Sequence, residues 1–511
     1  MLLNEFLEQS ARRYPDKTAL ITKNGRYSYR EIDEMANRIA NALISGGLEK
    51  GERAAVFVDN SLEAVVSIFG ILKAGGIFLM VNPTTKARKL AYILGNCGAA
   101  VILSSTQKLA VVSETAGGIK SLKGIYLSGK DLPLNGISKN TVSFDEILTK
   151  GESSRPPCRS IDVDLASIIY TSGSTGVPKG VMMTHFSMVS AANSITHYLE
   201  NRADDVILNV LPLSFDYGLY QVLMGFKTGA TVILEKAFLY PSSATDIIQK
   251  ERVTGFPIVP TISAILLQME DMKKKSFDSL RYISSTGAVL PLAHIAGLRQ
   301  LFPKARIYSM YGLTECKRIS YLPPEQLDIR PMSVGKGMPN EEVYIVDQDG
   351  NRVGPGVVGE LVVRGAHIMK GYWGMPEATA KRLKPGPYPG EMVLHTGDLF
   401  KMDEEGYLYF VSRTDDIIKC RGEKVSPREI EEVLCRIPGV AEASVIGVPD
   451  PVLGQAAKAF IVTSSGISLS SNDVLQFCSL NLEDYMIPKY VEFRDKLQKS
   501  ENGKIDKEGL K

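Results

Sequence analysis

Residues 30–48, REIDEMANRIANALISGGL, carry apolar side chains at helical spacing and stop at a Gly-Gly pair, which predicts an amphipathic helix. RAAVFV (53–58) is a short continuous apolar run and predicts a buried strand, followed by a helix from Ser61 and another strand near 77–81. The same strand–helix alternation recurs in AAVILSS, KGIYLS, VILNVLPL, TVILE, GFPIVP, LRYISSTG and RIYSMYG. Apolar strands alternating with helices predict α/β layers built on largely parallel sheets. From about residue 340 the texture changes. EVYIVDQDGNRV, GELVVRG and LFKMDEEGYLYFVSR read as strands joined by Asp-Gly and Glu-Glu-Gly turns, and predict hairpins or a small distorted β-barrel. After Arg413, SPREIEEVLCRIPGVAEASVIGVPD reads helix then strand, and KAFIVT is a further strand. This last part has the size of a compact α+β module of roughly 100 residues. The expected organisation is a large α/β domain over 1–412 and a small α+β domain over 413–511, with the boundary near 411–416.

A chain of 511 residues is too long for one ordinary core, in keeping with that division. Its 59 basic and 57 acidic residues leave a formal charge of +2 with no strongly basic half, so a nucleic-acid partner is not expected. Six cysteines stand singly and the five histidines show no ligand spacing, which points to reduced thiols in a cytoplasmic protein and away from structural zinc. The N-terminal MLLNEFLEQSARRYPDK mixes acidic with apolar residues and reads as an amphipathic first helix rather than a signal peptide. The run EAVVSIFGILKAGGIFLMV is broken by Lys73 and two glycines, and no membrane span is expected.

YTSGSTGVPKG (170–180) is the most unusual stretch. It is rich in glycine and hydroxyl side chains, follows the strand LASIIY, and is expected to lead into the helix THFSMVSAANSITHYL. A loop so placed can offer backbone N–H groups, hydroxyls and the point charge of Lys179 to phosphate. It is not a Walker A loop, because Lys179 lies between Pro178 and Gly180.

This loop resembles the signature phosphate loop of the AMP-forming adenylating superfamily: acyl-CoA synthetases, peptide-synthetase adenylation domains and beetle luciferases. VNPTTKARKLAYIL (81–94), SSTGAVLP (284–291), YGLTE (311–315), TGDL (396–399), SRTDDIIKCRGEKVSPREIE (412–431) and ENGKIDK (501–507) follow in the family's order and spacing. The resemblance runs essentially end to end and is closest to a stand-alone acyl-CoA synthetase. It implies an acid–thiol ligase of fatty acid metabolism type. A carboxylic acid and MgATP give acyl-adenylate and pyrophosphate, and the acyl group then passes to coenzyme A. The resemblance implies ATP and Mg²⁺ as cofactors. Thr171, Ser172, Gly173, Ser174, Thr175, Gly176 and Lys179 would orient the phosphates, Glu315 would coordinate Mg²⁺, and Thr314 would lie beside the α-phosphate. Adenine would sit between Gly287-Ala288 and the Tyr311 ring. Asp398, helped by Arg413, would accept from the ribose hydroxyls. Lys504 would bridge carboxylate and α-phosphate. Asp415 would be the hinge of a mobile C-terminal domain that swings Lys504 away and brings Lys419 and Gly422 to the thiol tunnel.

Two departures bear on the substrate. LPLSFDYGLYQ (211–221) places Phe215-Asp216 where many fatty acyl-CoA synthetases carry a histidine and an aromatic residue. Asp216 could hold a substrate ammonium, as in amino-acid adenylation domains, or cap a helix starting at Tyr217. TECKRISY (314–321) follows the metal-binding glutamate with Lys317 and Arg318, which could pair with Asp216, with a second carboxylate on the substrate, or stand in solvent. One alternative reading is therefore a stand-alone adenylation enzyme that loads an amino acid or acyl group onto the phosphopantetheine of an acyl carrier protein. The sequence given ends at Lys511, eight residues beyond Gly503, so no fused carrier domain is expected. An inactive nucleotide-binding or regulatory protein is an alternative of another class, and luciferase-like oxidation is a remote one.

Overall fold

The computed structural model describes every residue except 130–139, 172–176, 239, 271, 273–274, 421–422, 451–452, 465, 500–504 and 511. The chain divides into two compact units. One comprises Met1–Ile329, Gly337–Glu342 and Arg364–Val393, and the other Arg330–Lys336, Val343–Val363 and Leu394–Lys511.

Two sheets organise the first unit. In one, parallel strands run in the order Leu165–Thr171, Ile77–Met80, Arg53–Phe57, Val101–Ser105, Gly124–Ser128 and Asn140–Ser143. Lys179–Thr184 and then Gly371–Tyr372 add antiparallel strands beside Leu165–Thr171. In the other, Arg306–Tyr311, Tyr282–Ser285, Gly255–Ile258, Val206–Asn209, Thr231–Leu234 and Thr18–Thr22 are parallel. Ser320–Leu322 and Gly25–Ser28 pair antiparallel at its two sides. The expected α/β layers with largely parallel sheets are present.

Local sequence accounts for the helices that cover these sheets. Tyr29–Ser45 opens on a capping box, in which Ser28 accepts from the Glu31 amide while Glu31 accepts from the Ser28 amide. Leu62–Lys73 opens on Ser61, which accepts from the Ala64 amide. Each such cap is worth about 1 kcal/mol. Lys73, the charge that breaks the longest apolar run, is buried. Its ammonium donates to Asp33 Oδ1 and Asn37 Oδ1, each at 2.6 Å, so the buried charge is paired as its desolvation requires.

Further along, Gly359–Gly365, Met392–Met402 and Leu408–Arg413 pair antiparallel, the last two as the expected hairpin across the Glu-Glu-Gly turn. Among the described residues they form an open sheet, not the closed barrel that the sequence suggested. The register slips between Glu360 and Val362 and between Leu399 and Phe400, which bends the sheet without closing it. Leu408–Arg413 then passes into the 3₁₀ turn Thr414–Asp416. Beyond it, Ile418–Cys420, Glu423–Val425, Val440–Asp450, Gly454–Thr463 and Tyr490–Phe493 form an α+β module with the helices Pro427–Leu434 and Ser471–Asn481. Its core includes Ile418, Val425, Ile430, Val445, Ile461 and Val474. Among the described residues, no helix is long and apolar enough to cross a membrane, and all six cysteines are free thiols.

Candidate active site

The glycine-rich loop departs from expectation in its surroundings. Lys179–Thr184 is a strand paired antiparallel with Leu165–Thr171, and the helix His185–Tyr198 begins only after it. The loop thus closes a hairpin and does not lead directly into a helix N-terminus. Thr171 and Lys179 are register partners at the mouth of this hairpin. Ser172, Gly173, Ser174, Thr175 and Gly176 lie outside the described residues.

The end of the loop is pinned from two sides. The Tyr92 hydroxyl donates to the Pro178 carbonyl at 3.2 Å, and the Trp373 amide donates to the Gly180 carbonyl at 2.8 Å. Gly371 and Tyr372 pair with Met182 and Val181. That pairing brings Tyr372 to Lys179, whose ammonium stands 5.4 Å from the centre of the Tyr372 ring. The Tyr372 hydroxyl donates to Glu315 Oε1 at 2.7 Å, and the Met369 amide donates to the Glu315 carbonyl at 2.7 Å. Burial, and then the neighbouring Glu315 carboxylate, push the Tyr372 phenol up, so it remains a donor. Lys179, Tyr372 and Glu315 are therefore one constellation. Tyr372 is the member that sequence reasoning missed. The signal for it was KGYW (370–373), which says nothing until the strand pairs with 181–182.

Glu315 sits on a tight turn after Arg306–Tyr311. The Lys317 amide donates to the Leu313 carbonyl at 2.7 Å, and Lys317 itself takes a left-handed φ of 68°. Gly312 allows this turn to close, since a Cβ there would stand 2.4 Å from the Lys317 carbonyl oxygen. Thr314 lies in the turn, and its carbonyl accepts from the Lys317 ammonium at 3.0 Å. Tyr311 ends a strand that is parallel to Tyr282–Ser285, and Gly287 follows the end of that neighbour. Gly287 has φ +90° and Ala288 is exposed. These residues stand at the carboxyl ends of adjacent parallel strands, where open α/β sheets bind ligands.

Phe215 and Asp216 open the helix Asp216–Thr228. Asp216 is the first helical residue, and Phe215, with no side-chain cap bond, occupies the cap position. The helix does not start at Tyr217 as one alternative required, so Asp216 is not its cap. Asp216, Lys317 and Arg318 are all buried, which removes the solvent-exposed alternative for the two cations. Burial lowers the Lys317 pKa, and the charges of Asp216 and Glu315 oppose that shift.

In the second unit, Asp398 and Arg413 are register partners on adjacent strands. Arg413 Nε lies 3.4 Å from Asp398 Oδ1. Asp398 is buried and its amide donates to the Thr396 hydroxyl, which donates to the Leu361 carbonyl at 2.8 Å. Gly397, at φ +70°, donates its amide to Glu360 at 2.8 Å. Asp415 lies in the 3₁₀ turn Thr414–Asp416 and Lys419 in the strand Ile418–Cys420. Gly422 and Lys504 lie outside the described residues.

Lys179, Tyr372 and Glu315 thus stand together beside a stretch rich in glycine and hydroxyl side chains. The model of the AMP-binding enzyme family matches residues 7–373, and that of the AMP-binding enzyme C-terminal domain matches residues 429–504. A long-chain-fatty-acid–CoA ligase of Escherichia coli O157:H7 is 33% identical over 98% of this chain and 93% of its own length. The solved structure of ATP-bound MatB from Rhodopseudomonas palustris superposes with a TM-score of 0.88 at 27% identity, covering 100% of this chain and 98% of that one. The anthranilate CoA ligase AuaEII in complex with anthranoyl-AMP gives a TM-score of 0.89 at 28% identity, covering 100% of this chain and 96% of that one. The chain belongs to the AMP-binding enzyme family, as an AMP-forming ligase of the acyl-CoA synthetase type.

Proposed function

We propose that this protein joins a carboxylic acid to coenzyme A in two steps. The acid's carboxylate attacks the α-phosphorus of ATP, forming acyl-adenylate and releasing pyrophosphate. The thiol then attacks the acyl carbon, forming the thioester and releasing AMP. Both reactants of the first step are anions, so the protein's work is to screen charge and hold geometry. The observation that carries this reading is the Lys179–Tyr372–Glu315 constellation, with Tyr372 bonded to Glu315 at 2.7 Å and 5.4 Å under the Lys179 ammonium.

Glu315 offers a hard oxygen donor whose second oxygen has no hydrogen bond among the described residues. Such a carboxylate suits Mg²⁺, which is commonly held by one or two carboxylates together with substrate phosphates. When bound, the ion neutralises phosphate charge. Lys179 and the loop 171–176 orient the phosphates, Tyr311 and Gly287-Ala288 take the adenine, and Asp398 with Arg413 takes the ribose. We further propose that residues 413–511 move as a body about Asp415, with Lys504 serving adenylation and Lys419 and Gly422 serving thiol transfer. The six free thiols suit a cytoplasmic location. Formation of a CoA thioester that requires ATP, Mg²⁺ and an acid, with AMP and not ADP released, tests the reading. ADP release would refute it.

A further inference from the structure

The turn 314–318 and the helix start 215–217 face each other through charged side chains. The Lys317 ammonium donates to the Thr314 carbonyl at 3.0 Å. Arg318 is different. It is only 4% exposed, and its guanidinium carbon stands 4.9 Å from the centre of the Tyr217 ring. The Tyr198 hydroxyl bonds it, and the buried Tyr220 hydroxyl feels both Asp216 and Arg318. No carboxylate lies within ion-pair distance of it among the described residues, and its Nε has no hydrogen-bond partner. A guanidinium cannot shed its charge. Burying one without an anion is costly, and methionine or leucine would fill the space without that cost.

This guanidinium, with no ion-pair partner among the described residues, stands three residues from Glu315, on the same turn, beside the residue that follows Asp216. From this we infer that Arg318 receives a second anionic group of the acid, so that the substrate class is a dicarboxylic acid. One carboxylate is activated near Thr314 and the other lies against the Arg318 guanidinium over Tyr217. The inference rests on the adenylation reading above and adds the substrate class.

The test is acid-dependent ATP–pyrophosphate exchange by the full-length protein. Straight-chain dicarboxylic acids of three to ten carbons are compared with monocarboxylic and α-amino acids of equal length, for the wild type and for Arg318→Met and Arg318→Lys. The inference expects a dicarboxylic acid to give the highest kcat/KM. Arg318→Met should cut the dicarboxylic-to-monocarboxylic ratio by roughly 30-fold or more, as loss of one partner of a desolvated charge pair does. Arg318→Lys should recover part of that ratio. A monocarboxylic or amino acid preferred by the wild type, or an Arg318→Met variant that lowers all acids alike, overturns the inference and leaves adenylation standing. No exchange with any acid overturns the adenylation reading itself. Should Arg318→Met fail to fold, the wild-type ranking and inhibition of monocarboxylate turnover by the dicarboxylic acid decide the matter. Absence of such inhibition counts against the inference.

Discussion

Tyr372 holds Glu315 by a 2.7 Å hydrogen bond and lies beneath the Lys179 ammonium. One phenol thereby joins the phosphate loop to the acidic turn, although the three residues are far apart in sequence. The two-residue strand Gly371–Tyr372 makes this join by pairing with Val181 and Met182.

Tyr372→Phe keeps the ring under Lys179 and deletes the bond to Glu315. A hydrogen bond to a charged group is worth about 1.5–3 kcal/mol, or roughly 10–100-fold. Pyrophosphate exchange should fall by that factor, and the Mg²⁺ concentration for half-maximal rate should rise. A variant with an unchanged Mg²⁺ titration would show that Tyr372 does not position the metal-binding carboxylate.

Lys179→Ala should lower adenylation at least about 100-fold while the melting temperature moves little, because a half-buried loop-edge lysine supports no core. Exchange kinetics and a thermal melt on the same preparation check this. A drop in melting temperature matching the loss of activity would make Lys179 structural.

Asp398→Asn keeps shape and removes the charge that faces Arg413. If Asp398 accepts from ribose, KM for ATP should rise about 10-fold or more, as loss of a charge-assisted hydrogen bond implies, while KM for the acid stays put. Parallel changes in both constants would assign Asp398 to packing.

His185 is buried, and the Leu3 amide donates to its Nδ1 at 3.1 Å. Burial holds its pKa at about 4, against the pull of Asp164 and Asp162. The ordinary unfolded value is about 6.5. Between these values the unfolded chain binds a proton that the native one does not, so stability should fall as the pH drops from about 6.5 to about 4. His185→Asn, whose amide oxygen can still accept from Leu3, should flatten that part of a melting-temperature profile. An unchanged slope would place the effect elsewhere.

Much of this was legible in the sequence, for local reasons. Ser28-x-x-Glu31 and Ser61 mark helix starts by their own chemistry, and short apolar runs such as RAAVF are of strand length. The hairpin at the phosphate loop was not legible. KGVMMT is short and runs straight into a helix, and only its partner Leu165–Thr171 makes it a strand. Tyr372 was hidden for a similar reason, since its role arises on pairing. The burial of Lys317 and Arg318 was hidden too, because adjacent cations normally read as solvated and tertiary packing overrides that expectation.

The two-step account is tested most directly by separating its steps in one protein. Lys504→Ala, in a segment outside the described residues, should nearly abolish acid-dependent pyrophosphate exchange. The same variant should still convert supplied acyl-adenylate and coenzyme A to thioester at a rate near the wild type's. Equal loss of both half-reactions, or undiminished exchange, would contradict the account.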